Sequence, residues 1–506
     1  MIGRARSIAL TGLTGHVIDI EAHIASSLPA FTIVGLPDAA LQESRDRVRA
    51  AVGSSGLEWP NRRITVNLSP ASLPKSGSGT DLGIAVAVLA AAGLVDAKAA
   101  RRAVYVGELG LDGRVRPVRG VLPAVAAAVE AGLTTVVVPA GNLAEARLVP
   151  GADARGVATL AELARQLGND KAVAPADSVV QPTVVPAGSV APAGDLAEVR
   201  GQADARWALE VAAAGGHHML MVGPPGAGKT MLASRLPGIL PDLQAEDAVA
   251  ATSVHSLAGT LDPASGLLIR PPFEAPHHSA SAAAIVGGGS MLARPGAISR
   301  AHGGVLFLDE APEFSVHVLQ TLRQPLESGQ IVLHRAHGAV RYPARFQLVL
   351  AANPCPCGKF YGPTGGCSCS ALVRRRYFGR LSGPLLDRVD IQLDVHPVRR
   401  GADPVGESTA LVAARVGQAR DRARGRLDEL AILTNAQLPG AWLRSMTPTA
   451  AMRPAYAAVD RGALTARGLD RVLRVAWTIA DLSELDRPRE SEVLRAMALR
   501  SRGEGS

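Results

Sequence analysis

The feature that most constrains this chain is a glycine-rich turn between an apolar run and a helix-forming run. Residues 223–230 read G-P-P-G-A-G-K-T, which matches G-x-x-x-x-G-K-[ST], and they follow the apolar run HMLMVG. Glycines let backbone N–H groups face phosphate oxygens, lysine adds charge, and threonine offers a hydroxyl to Mg²⁺. The pattern predicts an ATP- and Mg²⁺-binding β–α unit. Its predicted nucleotide contacts are Gly223, Pro224, Pro225, Gly226, Ala227, Gly228, Lys229 and Thr230.

Two later apolar runs end in polar residues that suit phosphate hydrolysis. The run 305–308 is followed by Asp309, predicted to hold Mg²⁺, and by Glu310, predicted to polarise the attacking water as general base. The run 346–352 ends at Asn353, which we predict positions water or contacts the γ-phosphate. Alone, the acid pair could cap a helix and the Asn-Pro could form a turn. The order of the three motifs favours the catalytic interpretation.

The composition of the chain changes at three points. Residues 1–168 alternate β-rich runs with alanine-rich helical stretches, which predicts an α/β domain. Residues 169–194 are rich in Ala, Pro and Val without periodicity, which predicts a linker. Residues 195–400 contain the nucleotide motifs, and residues 401–506 show the apolar spacing of amphipathic helices. We predict three folded domains and one linker.

Composition excludes a membrane-spanning class. Apolar residues make up 47% and charged residues 19%, and no stretch approaches the ~18 consecutive apolar residues of a membrane-crossing helix. The beginning of the chain lacks the apolar core of a secretory signal, so we expect a cytoplasmic protein. A net charge of +8 would suit a polyanionic partner such as DNA if the charge is clustered. An arginine-rich composition can also come from a GC-rich genome, so charge alone leaves the partner open.

All cysteines of the chain lie in one short stretch, as two C-x-C pairs. Four thiolates suit a structural Zn²⁺ ion, whereas C-x-C is a less common arrangement than C-x₂-C. Zinc binding and reduced thiols both remain open as interpretations. The residues are Cys355, Cys357, Cys367 and Cys369.

Several of these segments, taken in order, closely resemble the YifB/ComM family of AAA+ proteins, which are relatives of the magnesium chelatase I subunit. They are HMLMVGPPGAGKTMLASRLPGILP, RPPFEAPHH, ARPGAISRAHGGVLFLDEAPEF, LVLAANPCPCG and RLSGPLLDRVDIQLDV. The resemblance covers essentially the whole chain. It implies an α/β fold with an N-terminal domain similar to ribosomal S5 domain 2 and to the proteolytic domain of Lon, a P-loop AAA+ core and a C-terminal helical lid.

The resemblance also implies a function. ComM-like proteins act as hexameric helicases that drive DNA branch migration, so we expect an ATP-driven DNA motor in recombination or DNA uptake. Arg388 matches the arginine finger that reaches a neighbouring subunit's nucleotide, and Arg467 matches the sensor-2 arginine of the lid. Either could instead be a surface arginine. The alternative function is a chelatase-type ATPase that remodels a protein partner.

Residues 330–341 alternate apolar and polar side chains around a glycine, which predicts a β-hairpin. In related helicases this hairpin points into the central pore. Arg335, His337 and Arg341 are therefore the predicted DNA contacts, with an ordinary solvated hairpin as the alternative. A neighbouring pair, His277 and His278, is expected to be structural rather than to bind a ligand.

The similarity to Lon raises the question of protease activity. In the aligned segments the position of Lon's nucleophilic serine falls on Gly79, and the position of its lysine falls on Leu122. A slip of one residue would bring Ser78 into place, but that serine would still lack its lysine base. We therefore predict an ATPase that is not a protease.

Overall fold

The computed structural model describes residues 2–35, 39–73, 75, 77–174, 194–288, 294–335, 338–360, 366–381, 383–397 and 406–500. Two sheets, each with helices packed against it, are followed by a helical C-terminal region, which confirms the predicted α/β class. Most of the predicted linker and His337 lie outside the described residues, as does the side chain of Arg335.

The N-terminal part is a mixed sheet with helices against it. The sheet has the strand order β3-β4-β2-β1-β5-β8-β9. Its strands, with the separate pair β6/β7, are β1 (Ile2–Thr11), β2 (Thr14–Ala25), β3 (Ala30–Val34), β4 (Arg63–Ser69), β5 (Val104–Tyr105), β6 (Glu108–Leu109), β7 (Val115–Arg116), β8 (Thr135–Pro139) and β9 (Asp153–Val157). Its helices are α1 (Ala39–Ser54), α2 (Asp81–Ala91), α3 (Ala97–Ala100), α4 (Val121–Glu130), α5 (Leu143–Ala146) and α6 (Leu160–Gln166).

Strand alternation explains the core of this sheet. β1 and β2 pair antiparallel, and the inward positions of β2, Ile18, Ile20 and Ala22, are fully buried. Every residue of α2 is buried, because this alanine- and valine-rich helix is enclosed rather than laid on the surface. A Cβ on Gly3 would lie 2.1 Å from the carbonyl oxygen of Ala87, so glycine is needed where β1 meets α2.

The middle part contains a sheet in which every pairing is parallel, with the order β11-β14-β17-β10-β18. These strands and the short pairs beside them are β10 (Met219–Val222), β11 (Phe273–Glu274), β12 (Gly287–Gly288), β13 (Arg294–Pro295), β14 (Val305–Leu308), β15 (Gln330–Arg335), β16 (Gly338–Pro343), β17 (Gln347–Ala352) and β18 (Ile391–Asp394). Its helices are α7 (Ala203–Gly215), α8 (Lys229–Ile239), α9 (Ala245–Ala258), α10 (Ala282–Val286), α11 (Ala297–Arg300), α12 (Val316–Thr321), α13 (Arg323–Ser328), α14 (Ala371–Gly379) and α15 (Gly383–Leu386).

Parallel pairing decides where the functional residues meet. β10, β14 and β17 are adjacent and wholly buried, as their continuous apolar sequences require. Their carboxyl ends lie at one edge of the sheet, because all three run in the same direction. Ligands of open α/β sheets bind at this edge. The three sequence motifs are therefore brought to one place.

The C-terminal part is helical, with α16 (Thr409–Glu429), α17 (Gly440–Met446), α18 (Thr449–Asp460), α19 (Ala466–Leu482) and α20 (Glu490–Ala498). The apolar face of α19 is buried at Leu469, Val472, Leu473 and Ala476, as the periodicity predicts. These residues belong to the same apolar core as α7 and α8, so the helical part is packed on the parallel sheet domain.

The N-terminal part contacts the middle part at two places. The Ser256 hydroxyl of α9 donates a hydrogen bond to the Glu145 carboxylate of α5. A Cβ on Gly12, in the β1–β2 turn, would lie 2.8 Å from Cγ1 of Val340 in β16. The β1–β2 turn thus lies against the predicted hairpin. Among the described helices, none combines the length and apolar character needed to cross a membrane.

Candidate nucleotide-binding and hydrolysis site

The phosphate-binding turn joins β10 to α8 and has the backbone that its glycines predict. Gly226 and Gly228 have φ values of +78° and +89°, which glycine adopts without steric cost. A Cβ on Gly223 would lie 2.3 Å from the carbonyl oxygen of Val395, so a side chain there would collide with the segment after β18. Helix α8 begins at Lys229, which directs its free N–H groups toward the turn.

Lys229 links this turn to the end of β17. Its buried ammonium Nζ donates to the carbonyl oxygens of Gly223 and Pro224, at 2.7 and 3.1 Å, and to Oδ1 of Asn353 at 3.2 Å. Burial lowers the pKa of Lys229, while the charges of Asp309 and Glu310 act in the opposite direction. The lysine predicted to bind phosphate and the predicted water-positioning amide are thus in direct contact.

The two residues predicted to hold Mg²⁺ meet at the same edge. The Thr230 hydroxyl donates a hydrogen bond of 2.7 Å to Oδ2 of Asp309, which follows β14. Hydroxyl and carboxylate oxygens are the hard ligands that Mg²⁺ prefers, usually completed by water and substrate phosphates. The donor set therefore fits this cation.

Glu310 has an unusual backbone and a partner that the sequence did not reveal. Its φ is +50°, a region that non-glycine residues seldom adopt outside constrained sites. Its carboxylate Oε2 lies 3.2 Å from Nδ1 of His278. We expected His278 to be structural, but it contacts the predicted general base. Its proximity depends on strand order, since β11 pairs with β14 across about 30 residues of intervening chain.

Gln202 is a second residue that sequence reasoning missed. Its side-chain Nε2 donates to the carbonyl oxygens of Ala227 and His396, at 2.5 and 3.0 Å. It therefore ties the phosphate-binding turn to the segment after β18. A lone glutamine with no motif around it gives no sequence signal.

We call Lys229, Thr230, Asp309, Glu310 and Asn353 together the phosphate site.

The two arginines taken from the family resemblance lie elsewhere. Both Arg388 and Arg467 line a cleft of about 1120 Å³ between the sheet domain and the helical part, together with Arg420, Arg424, Arg471 and Arg474. We call it the arginine cleft. Among the described residues that line it, none belongs to the phosphate-binding turn.

Within the arginine cleft, the side chains of Arg388 and Arg467 differ in how firmly they are held. Arg388 forms a close ion pair with Glu327 and donates to the carbonyl oxygen of Pro384 at 2.5 Å. Burial lowers the pKa of Arg388, and the charges of Arg323, Arg471 and Arg467 lower it further. The Arg467 side chain is 84% exposed and lies 3.9 Å from Asp387. Arg388 is held in place, whereas Arg467 extends into solvent.

The four cysteines meet in space. Their sulfur atoms all lie within 4.8 Å of one another, with Sγ–Sγ distances of 3.2 Å for Cys355–Cys357 and 3.6 Å from each of these to Cys367. A tetrahedron of Zn–S bonds of about 2.3 Å has S–S edges of about 3.8 Å. Backbone N–H groups of Phe360 and Cys369 donate to Cys355 and Cys367 sulfurs. The donor set fits Zn²⁺.

The predicted hairpin is present as β15 and β16. The two strands pair from Gln330 opposite Pro343 to Arg335 opposite Gly338. Arg341 is exposed on β16. The position of the third predicted DNA contact, His337, lies outside the described residues.

The residues at the Lon-like positions have other partners. Leu122 is fully buried in α4. The Ser78 hydroxyl donates to the Glu108 carboxylate, and the buried Lys75 ammonium donates to the carbonyl oxygen of Gly35 at 3.0 Å. At the Lon-like positions, therefore, the Ser78 hydroxyl is hydrogen-bonded to a carboxylate, and Leu122 has no amine that could act as its base.

Comparison with known proteins places this geometry in a family. The family described as "Magnesium chelatase, subunit ChlI" matches residues 195–402, "Subunit ChlI of Mg-chelatase" matches 20–142, and "Magnesium chelatase, subunit ChlI C-terminal" matches 406–500. The protein YifB of Escherichia coli is 40% identical over 94% of this chain and 93% of its own length. The competence protein ComM of Haemophilus influenzae is 39% identical over 97% of each chain. The chain belongs to the YifB/ComM family.

Other relatives extend this result. An uncharacterized protein of Mycobacterium tuberculosis is 53% identical over 99% of both chains, so this YifB/ComM protein has a relative similar along its entire length. A Lon protease of Mycolicibacterium smegmatis is 32% identical over 154 residues, which are 29% of this chain, so the likeness to Lon is partial. As a YifB/ComM protein with a magnesium chelatase-like AAA+ domain, the chain is an AAA+ ATPase that uses ATP and Mg²⁺.

Proposed function

We propose that this ATPase is a DNA motor, a hexameric branch-migration helicase that acts in the cytoplasm in recombination or DNA uptake. The observation that carries the ring part of the proposal is the separation of the phosphate site from the arginine cleft. Arg388 and Arg467 are the residues expected to reach nucleotide, yet they line a cleft without residues of the phosphate-binding turn. In this arrangement such arginines would act on the phosphate site that another subunit brings to the cleft.

Hydrolysis would use the phosphate site as follows. Lys229 exchanges its carbonyl partners for phosphate oxygens, and Asn353 positions the attacking water. Glu310 accepts a proton from that water, with His278 fixing the orientation of the carboxylate. Thr230 and Asp309 would hold Mg²⁺, which when bound supplies charge that stabilises the phosphoryl oxygens.

The ring supplies the remaining charge. Arg388 stabilises the charge that develops on the γ-phosphate held by the adjacent subunit, and Arg467 adds a second contact to the same nucleotide. In the single chain the Arg388 guanidinium is paired with Glu327. Ring assembly would exchange this carboxylate for phosphate oxygens, so hydrolysis would depend on assembly.

The DNA part of the proposal rests on the hairpin. Arg341 is exposed on β16, and Arg335 and His337 flank the turn in the sequence. The β1–β2 turn of the N-terminal domain contacts β16 at Val340. Movement of the hairpin would therefore change its contact with that domain. A net charge of +8 favours a polyanionic partner.

A second function is supported by the family descriptions that match the chain. Magnesium chelatase-like domains over 195–402 and 406–500 favour a ring that remodels a protein partner. The two functions share their hydrolysis chemistry and differ in what stimulates it.

The test is the ATPase rate of the purified chain alone and with single-stranded, double-stranded or four-way-junction DNA. A DNA motor should be stimulated by at least one form, and the stimulation should weaken as salt rises, because phosphate contacts release counterions. If DNA of every form neither binds nor stimulates the ATPase, the chelatase-type function replaces the motor.

The proposal includes a Zn²⁺ ion held by the four cysteine thiolates. The four sulfur atoms are close enough to share one ion, and the N–H···S hydrogen bonds are compatible with a tetrathiolate site. Elemental analysis of protein purified under reducing conditions should find about one zinc per chain. Metal-free protein with unchanged melting after chelation would indicate reduced thiols instead.

A further inference from the structure

The cysteines lie in a loop that follows β17 and touches the phosphate-binding turn. Asn353 directly follows β17, and Cys355 comes two residues later. The backbone N–H of Gly358 donates to the carbonyl oxygen of Cys355 at 2.9 Å, which closes a turn. A Cβ on Gly358 would lie 2.8 Å from both Cγ and Cδ of Pro225. The loop is therefore packed directly on the third residue of the phosphate-binding turn.

The second half of the loop is tied to α14, which returns to the phosphate site. Arg374 of α14 donates to the carbonyl oxygen of Cys369 at 2.8 Å, and its guanidinium lies 3.9 Å from the Phe360 ring centroid. On the same helix, the backbone of Asn353 is near enough to the buried Tyr377 hydroxyl to lower its pKa, although burial raises that pKa more strongly. The loop thus contacts the phosphate-binding turn at Pro225 and, by way of α14, comes close to Asn353.

The described part of this loop forms neither helix nor strand, so the backbone hydrogen bonds of regular structure do not fix it. Four ligands at two ends of one loop would close it through a single metal ion, and the free energy of metal binding would then stabilise the closed loop. The cost of ordering the loop would be offset by the metal rather than by nucleotide.

We propose that the cysteine loop, defined as Cys355–Phe360 and Gly366–Cys369, is a metal-dependent support that holds Pro225 and Asn353 in the geometry that binds ATP. This inference rests on the zinc site proposed above. It predicts that loss of the metal weakens nucleotide binding in a chain whose phosphate-site residues are all intact.

The first experiment removes the metal ligands. The double variant Cys367→Ser/Cys369→Ser should lose its zinc, and binding of a fluorescent ATP analogue should weaken severalfold, because Pro225 and Asn353 then lose the support that metal binding stabilises. Ser368→Ala, an exposed residue between the two ligands, is the matched control and should keep both zinc and affinity. Zinc content, analogue affinity and melting temperature are measured together.

The second experiment separates the contact from the metal. Gly358 and Gly366 both have positive φ, +72° and +55°, so alanine is strained at either position. Only the Gly358 Cβ would meet Pro225, because no described residue lies within 4 Å of a Cβ on Gly366. Gly358→Ala should keep its zinc but bind the analogue several-fold more weakly than Gly366→Ala.

The outcomes of these experiments separate the support role of the cysteine loop from the proposed zinc site and from the proposed DNA motor. A wild-type chain without zinc overturns both the zinc site and the support. Zinc that a chelator removes without change in analogue affinity overturns the support and leaves the zinc site standing. Equal affinity of Gly358→Ala and Gly366→Ala also overturns the support. A motor function that fails the DNA test leaves these results unaffected, because none of them uses DNA.

Discussion

The phosphate site and the arginine cleft differ in how complete they are within one chain. In the phosphate site, Lys229 contacts Asn353, and Thr230 contacts Asp309, so the proposed phosphate, water and cation contacts are already assembled. In the arginine cleft, Arg388 is paired with Glu327 and Arg467 is mostly exposed. The first region has its partners, while the second presents charge away from the phosphate-binding turn of its own chain.

This contrast follows from chain topology. The phosphate site is built from the ends of adjacent parallel strands, so a single fold assembles it. The cleft is built where helices of the C-terminal part meet the opposite edge of the sheet, and its Arg467 side chain is exposed toward a space that another subunit could fill. A chain with this division of groups is suited to a ring in which each nucleotide is completed by a neighbour.

The largest effect should come from the phosphate site itself. Lys229→Ala should abolish nucleotide binding or turnover, because it removes the buried phosphate charge, whereas Glu310→Gln should bind nucleotide and fail to hydrolyse it. Binding of a fluorescent ATP analogue and the ATPase rate separate the two. Glu313→Gln, which changes an acid paired with Arg380 near the site, is the control and should keep near-normal turnover. Near-wild-type hydrolysis by Glu310→Gln would refute its role as general base.

Next in size is the trans action of the arginine cleft. Arg388→Ala should lower the ATPase rate by ~10³-fold or more, as expected for an arginine finger. Specific activity of wild type should rise with protein concentration. Mixing Arg388→Ala chains, which keep their phosphate site, with Lys229→Ala chains, which keep their finger, should restore activity at mixed interfaces.

The matched control for this experiment is Arg424→Ala. Arg424 lines the same cleft and pairs with Asp421. Its replacement by alanine removes one positive charge from the cleft and leaves the proposed arginine finger, Arg388, in place. If mixed chains gain nothing, or if Arg424→Ala is as inactive as Arg388→Ala, the two regions do not complete each other across subunits.

A smaller effect should come from the hairpin. Arg341→Ala and Arg335→Ala should each weaken DNA-stimulated turnover and reduce the salt slope of DNA binding by about one, while basal ATPase is retained. Arg461→Ala, which removes an exposed arginine of the helical part, is the control. Hairpin variants that bind DNA and respond to salt as the control does would remove the hairpin from the DNA contact.

The smallest effect is a pH dependence of stability in the arginine cleft. Burial lowers the pKa of His218 to about 4, while Asp390 raises it and Arg471 lowers it, and its Nδ1 accepts the N–H of Leu348. Since the unfolded pKa is ~6.5, the unfolded chain binds more protons between the two values, so stability falls on acidification through this window. Lowering pH from 7 to 5 should cost roughly 2 kcal/mol from this residue.

His218→Asn tests that prediction by keeping a hydrogen-bond acceptor without a titrating ring. Its unfolding free energy, measured by denaturant at pH 7 and pH 5, should fall by less than that of the wild type. An equal fall in both proteins would show that other groups set the acid sensitivity.

Local sequence was enough to predict the secondary structure that depends on neighbouring residues. The sequence pattern predicts helices over 203–214 and 449–460, and the structure has helices at Ala203–Gly215 and Thr449–Asp460. The β-rich run AVYVGEL, residues 103–109, is divided into β5 and β6. β5 pairs with β1 and β8, which lie far from it in the chain, so the length of this strand depends on tertiary pairing.

Residues brought together by folding were harder to predict. His278 contacts Glu310 only because β11 lies beside β14 in the sheet. Gln202 reaches the phosphate-binding turn from the end of a loop with no motif. Nothing in either local sequence distinguishes these residues from an ordinary histidine or glutamine.

By itself the sequence determined the chemistry of this protein, because the phosphate-binding turn, the acid pair and the asparagine are each specified by a few adjacent residues and the backbone they form. Tertiary structure decided how that chemistry is divided and supported. Arg388 and Arg467, 79 positions apart in the chain, share one cleft, and Gly358 is packed on Pro225. These relations arise from close packing between distant segments, which depends on the shape of the whole fold and not on local sequence.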